Sequence, residues 1–270
     1  MTKSKTRLAI LDMNNAAPNQ GLRCIKEIVE KYNNEIDFKI FDVRSKNEIP
    51  DTSFDIYISS GGPGSPIEEE EWRKPYLDLI QKLWDNNKTE TESKKHVFFI
   101  CYSFQVICDY FELGVIKPRK STSFGIFRVH KTPNGKKDFI LDGLPDPYFA
   151  VDSRDFQLIQ PRLKVFKEHG AKILSLEKIR TYVELERAIM AVRFSNEFVG
   201  TQYHPEAEPI SMGKHFSIEE NKQKVVSNFG ELKYNQMMGR MNDPDKLELT
   251  YNTILPSFIE NALKRQLVEI

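Results

Sequence analysis

Apolar and polar positions along this chain recur with two periods. Short runs of strand-like residues, Arg7 to Asp12, Asp37 to Val43, Asp55 to Ser59 and His96 to Ile100, alternate with stretches whose apolar residues fall at helical spacing. Gly21 to Asn33 places Leu22, Ile25, Ile28 and Val29 on one helical face, and Trp72 to Trp84 and Phe104 to Phe111 read as two further helices. This order predicts an α/β fold with a central, mostly parallel sheet covered by helices on both faces. Between these elements, the Gly- and Pro-rich run Ser60 to Pro66 is a turn and the polar stretch Asn86 to Lys95 is a surface loop.

The second half has a different texture. Phe124 to His130, Tyr148 to Val151, Ala171 to Leu176 and Ala188 to Phe194 are bounded by polar or turn residues and read as antiparallel strands, and Phe198 to Tyr203 leads into His204. After Glu206 the pattern turns helical: Ser217 followed by Glu220 reads as a capping box, and Ile254, Leu255, Phe258, Ile259, Ala262 and Leu263 form an apolar stripe. The expected organisation is an α/β domain over 1–206 and a helical C-terminal extension, 207–270, packed on it.

Composition narrows the function. The 39 basic and 39 acidic residues cancel, so no global field draws the chain toward nucleic acid or an anionic membrane. No apolar stretch approaches the roughly 20 residues needed to cross a bilayer, and Met1 to Thr6 leads into a strand and not into a leader's apolar core. A cytoplasmic protein is expected. Cys24, Cys101 and Cys108 cannot all pair and show no CxxC spacing, which argues against a disulfide framework and a structural zinc site. Glu68 to Glu71 are consecutive, so they cannot all face one ion, and they read as a solvated helix cap; His130, His169 and His215 have no ligand-like neighbours at useful spacing and His96 precedes an apolar strand, so all four read as structural or surface residues. No metal or cofactor is implied.

Cys101 stands where an apolar strand gives way to a helix, so its thiol would project from a sharp turn at a helix N-terminus, a position that favours thiolate. The distant triplet His204-Pro205-Glu206 can supply a base and a carboxylate to orient it. Cys108 reads as a small core hydrophobe.

Three blocks in order, Ser60-Gly61-Gly62-Pro63-Gly64, Cys101 with Gln105 four residues on, and Gln202-Tyr203-His204-Pro205-Glu206, resemble the class I glutamine amidotransferases, particularly the amidotransferase portion of GMP synthases. The resemblance covers roughly Arg7 to Glu206 and implies a flavodoxin-like fold. It further implies that Cys101, His204 and Glu206 hydrolyse L-glutamine to glutamate and ammonia through a thioester, and that the backbone N–H groups of Gly62 and Tyr102 hold the oxyanion. Gln105 would help bind the substrate amide, and the segment around Ser153 and Arg154 resembles the loop that holds the substrate's amino-acid end. Two departures stand out. Family elbows usually read Gly-x-Cys-x-Gly, whereas here the flanking positions are Phe99 and Ser103, and Arg154 stands where GMP synthase relatives commonly have histidine. After Glu206 there is no second Ser-Gly-Gly motif followed by Val-Asp-Ser, the mark of an ATP pyrophosphatase domain, so an ammonia-accepting synthetase would be another chain. The alternatives are a degenerate module that binds a metabolite or protein partner, an acyltransferase, or a γ-glutamyl hydrolase on the same fold.

Overall fold

The computed structural model describes residues 5–17, 19–90, 93–179, 186–241 and 243–268; residues 1–4, at the expected leaderless start, and 91–92, in the expected polar loop, lie outside them. Among the described residues nine strands form one sheet. Five are parallel and lie in the order β2-β1-β3-β4-β9: β1 (Thr6–Asp12), β2 (Ile36–Asp42), β3 (Ile56–Ser59), β4 (His96–Ile100) and β9 (Phe198–Thr201). The sheet then continues antiparallel through β8 (Ile189–Arg193), β7 (Lys172–Glu177), β5 (Val115–Lys131) and β6 (Tyr148–Ile159). The parallel half has a doubly wound order, in which ligands bind beyond the carboxyl ends of the strands.

Side-chain alternation sorts the core into two layers. Leu8 and Ile10 of β1 and Phe98 and Ile100 of β4 face α1 (Gln20–Glu30) and α9 (Leu249–Val268), where Ile25, Ile28, Phe258 and Ile259 cover them. Ala9, Leu11, Val97 and Phe99 face the opposite layer, built by Tyr76, Leu79 and Leu83 of α3 (Arg73–Thr89) and Val106 and Ile107 of α4 (Tyr102–Tyr110). The apolar stripe of the C-terminal segment is therefore part of the principal core, with Phe258 set edge-on to Phe98 at 5.2 Å. A third cluster joins Ile126 and Val151 to Phe216, Val225 and Met237 of three successive helices, α6 (Pro209–Ser217), α7 (Glu219–Phe229) and α8 (Glu231–Met241). None of the described helices is long and apolar enough to cross a membrane.

Several elements differ from the pattern expected. The capping box does not form. Glu208 caps α6, accepting from the N–H groups of Ile210 and Ser211 at 2.7 Å, and Pro209 opens the helix, so Ser217 becomes its last residue and donates back to the Gly213 carbonyl. α7 then starts after Ile218 without a side-chain cap. Helix α3 runs on to Thr89 through the first residues of the expected loop, and Val43 leaves β2 to open a short helix, α2 (Val43–Lys46), capped by Asp42. Glu70 is no solvated cap: it pairs with the buried Arg44 at 2.8 Å. The two longest strands outrun their apolar patterns. β5 extends back to Val115 across an irregularity between Pro118 and Ser123, and β6 continues from Val151 to Ile159. Ser153 and Arg154 consequently lie within a strand and not in a loop.

Candidate active site

β4 delivers Cys101 and α4 begins at Tyr102, so the cysteine occupies the junction with φ 48° and ψ −98°. A non-glycine residue in this region costs on the order of 1–3 kcal/mol and persists only where its surroundings hold it. Here Cys101 N–H donates to the Thr201 carbonyl at 2.8 Å, and its own carbonyl accepts from Gln105 N–H at 3.0 Å. Ser103 fixes the turn from within: its hydroxyl accepts from Ile100 N–H and donates to the Ser59 carbonyl, both at 2.9 Å. Serine thus adds a hydrogen-bonded brace where a glycine could add none.

Phe99 does not disturb this turn, because its ring lies on the far face of β4 among Phe194 and Phe198, at centroid distances of 5.8 and 6.0 Å. The space it needs comes from the neighbouring strand. Gly200 of β9 stands opposite Phe99, and a Cβ there would meet the Phe99 carbonyl oxygen at 2.9 Å, its Cβ at 3.0 Å and the Phe104 ring at 2.8 Å.

Beyond β9 the chain is pinned to β6 by the bond from His204 N–H to the Val151 carbonyl, 2.8 Å. The His204 ring then meets Glu206, Nδ1 to Oε1 at 2.8 Å. Glu206 is buried, and its second oxygen, Oε2, has no hydrogen-bond partner among the described residues. Burial opposes charge on His204, yet the Glu206 carboxylate and the Cys101 sulfur, each also a hydrogen-bonding partner, outweigh it and hold the imidazole well above its ordinary value. The sulfur has two more neighbours: the Ser153 carbonyl at 3.5 Å and Gln202 Nε2 at 3.8 Å.

Cys101 and His204 open into a cavity of about 400 Å³ that Gly62, Tyr102, Gln105 and Ser153 also line. Tyr102 is the first residue of α4, so its N–H has no intrahelical acceptor. Gly62 lies so close to Met13 that a Cβ would fall 2.1 Å from the Met13 carbonyl oxygen, which admits only glycine. Arg44 ties this loop down by donating to the Met13 and Pro63 carbonyls at 3.3 and 2.5 Å, with its guanidinium 4.6 Å from the Tyr102 ring centre. A thiol, an imidazole and a carboxylate in sequence, beside a helix N-terminus and a glycine loop, can perform nucleophilic acyl transfer.

Two expected substrate contacts take a different form. Gln105 gives its amide N–H groups to Gln202 Oε1 at 2.9 Å and the Phe156 carbonyl at 3.0 Å, leaving its oxygen as the group open to a ligand. Arg154 lines the same cavity, with its side chain engaged within the wall. The guanidinium is 1% exposed and paired with Asp152, with Nε–O distances of 2.9 and 3.0 Å. Ser153, exposed on β6, lines the cavity and also offers its carbonyl to the Cys101 sulfur. Sequence reasoning missed Gln202 as a neighbour of the thiol, although it stands in the same block as His204. It also missed Arg44, and Asn14 and Asn19, which line the cavity. Arg44 carries no motif; Asn19 could have been found as the cap of α1, where it accepts from Gly21 N–H.

Comparison with known families places this arrangement. The model of the class I glutamine amidotransferases matches residues 22–223, and the chain belongs to this family. Among solved structures, the fold is similar to that of a glutamine amidotransferase from Thermotoga maritima, with a TM-score of 0.67, 16% identity and coverage of 97% of this chain and 100% of the other. A putative GMP synthase component from Thermoplasma acidophilum gives 0.52 and 18%, covering 84% and 97%. The glutaminase domain of Trypanosoma brucei CTPS, solved with acivicin bound, gives 0.59 and 14%, covering 96% and 94%. At these identities the likeness is one of fold. No curated protein sequence matches.

Proposed function

We infer that the chain hydrolyses the side-chain amide of L-glutamine through Cys101, His204 and Glu206. The observation that carries this reading is the hydrogen-bonded His204–Glu206 pair, whose imidazole opens with Cys101 into one cavity. In the proposed cycle, His204 holds the thiol proton and Glu206 keeps the ring in one tautomer. The sulfur forms a bond to the amide carbon, the backbone N–H groups of Gly62 and Tyr102 receive the oxyanion, and His204 gives the proton to the departing nitrogen as the C–N bond breaks. Water then attacks the thioester, its hydroxyl going to the acyl carbon and its proton returning to sulfur, which yields glutamate and free cysteine. The ammonia acceptor, in this reading, is a synthetase on another polypeptide. Gln105 and Ser153 are the candidate contacts for the substrate.

The bond pattern at the elbow supports an enzyme over a binding module. Phe99, the residue that threatened the turn, is accommodated by Gly200, and Cys101 keeps the positive φ of a strained strand-to-helix elbow. The test is a glutamine-mimicking electrophile with mass-spectrometric mapping. Expected is a single adduct on Cys101, lost in His204→Ala, together with glutaminase activity that Cys101→Ala abolishes. An unlabelled Cys101, with glutaminase activity equal in wild type and Cys101→Ala, sinks the reading.

A further inference from the structure

The glycine loop after β3 and the first turn of α4 are separate stretches of chain, yet the reaction inferred above needs one N–H from each to meet the same oxygen. Arg44, the second residue of α2, links them, and its side chain is 5% exposed. Its Nη1 donates to the Met13 carbonyl at 3.3 Å and to the Pro63 carbonyl at 2.5 Å. The Met13 oxygen is the atom against which Gly62 packs, and Pro63 is the next residue along, so one nitrogen brackets Gly62 from both sides. Nη2 is anchored on Glu70 at 2.8 Å.

The other half of the link is aromatic. The Arg44 guanidinium carbon lies 4.6 Å from the Tyr102 ring centre, and the Tyr102 hydroxyl donates to the Ser65 carbonyl at 3.3 Å, at the far end of the same loop. Left to itself this loop would be mobile, since Gly61, Gly62 and Gly64 restrict the backbone least of all residues. Hydrogen-bond donors stabilise a developing charge well only if they need not be reoriented when it forms. Stability alone is a poor account of the contact, because Arg44 Nε is buried without a hydrogen-bond partner among the described residues.

We propose that Arg44 is the positioning residue of the oxyanion site, holding the Gly62 and Tyr102 N–H groups in fixed relation before the substrate arrives. This role rests on the amide hydrolysis inferred above. Arg44 is not among the residues that line the Cys101 cavity, so it acts through the two donors and not on the substrate. Its loss therefore weakens the transition state more than the bound ground state, which lowers kcat and leaves KM nearly unchanged.

The experiment measures glutaminase kinetics in Arg44→Met and in Glu70→Gln, which keeps the guanidinium and loosens its anchor. Alongside, the rate at which iodoacetamide alkylates Cys101 is followed by mass spectrometry, because that displacement forms no oxyanion. Arg44→Met is expected to lower kcat about 10–100-fold, short of the roughly 10²–10³-fold for outright loss of one donor, with KM within about threefold and alkylation within about twofold of wild type. Glu70→Gln is expected to give the same split with a smaller fall in kcat, and it decides the matter if Arg44→Met does not fold. A kcat close to wild type in the folded variants, or alkylation that falls in step with kcat, overturns the positioning role and leaves the glutaminase reading standing. A wild type without glutaminase activity overturns that reading and this role together.

Discussion

The two halves of the sheet solve the same problem by different physics. Strands β3, β4 and β9 reach the site as buried apolar runs, and the groups they deliver are placed by main-chain bonds: Cys101 to Thr201, Ser103 to Ser59 and Ile100. On the antiparallel side, β6 reaches the site with an interior of charge. Arg154 bonds Asp152, Asp152 accepts from Ser123, and Glu177 joins Arg154 at 4.0 Å to Arg119 at 3.3 Å. A parallel strand covered on both faces needs little but shape, whereas a wall offered to a polar ligand is held by polar groups that must all be satisfied.

Removing the chemistry of the first half should have the largest effect. Cys101→Ala and His204→Ala are each expected to lower glutaminase kcat by at least about 10³-fold, and the double variant by hardly more, since the groups act as a unit; steady-state kinetics on all three variants checks this. Breaking the charged half comes next. Asp152→Ala strands the Arg154 guanidinium and should cost about 3–5 kcal/mol in denaturant unfolding, with KM rising more than kcat falls as Ser153 shifts. A stability loss below about 1 kcal/mol, the range of an exposed ion pair, would show that the network is ornamental and erase the contrast. Gly200→Ala puts a methyl group against Phe99 and should cost about 1–3 kcal/mol. Combining it with Phe99→Gly should show a coupling term in a double-mutant cycle, because the two positions share one space.

The smallest effect concerns a proton. The His204 pKa is raised in the folded state, so its contribution to stability is complete below the ordinary histidine value of 6.5 and fades as pH rises through the raised value. NMR titration of the imidazole should find a midpoint above 6.5, and Glu206→Gln should bring it down. An unmoved midpoint would remove Glu206 from the account of how the ring is held.

What was legible follows the same divide. The parallel half announced itself because each strand is an apolar run and each helix shows one buried stripe, so the β1–α1–β2 unit and the Cys101 junction stand in the sequence nearly as they stand in the fold. The pattern of β6 stops at Val151 because Asp152 and Arg154, its next inward positions, are charged, and pairing across two residues leaves no hydrophobic period to read. Helix α3 outran its pattern for a related reason: its last turns carry Asn86, Asn87 and Lys88, whose polar side chains mark a surface and not an end. The mismatch at Phe99 was visible but its compensation was not, since Gly200 is about a hundred positions away and only strand pairing makes the two neighbours. Arg44 was invisible altogether, because a buried arginine bracing a loop through carbonyl oxygens leaves no signature in residue spacing.

The contact between Phe98 and Phe258 bears on how the protein is made. One face of β4 is closed by α1 and α9, and α9 lies some 150 residues after that strand. During synthesis the strand that carries Cys101 is therefore complete long before the surface behind it is covered. The thiol's setting is finished only when α9 docks, so a nascent or nicked chain lacking α9 holds every candidate catalytic residue and still has an unsupported elbow.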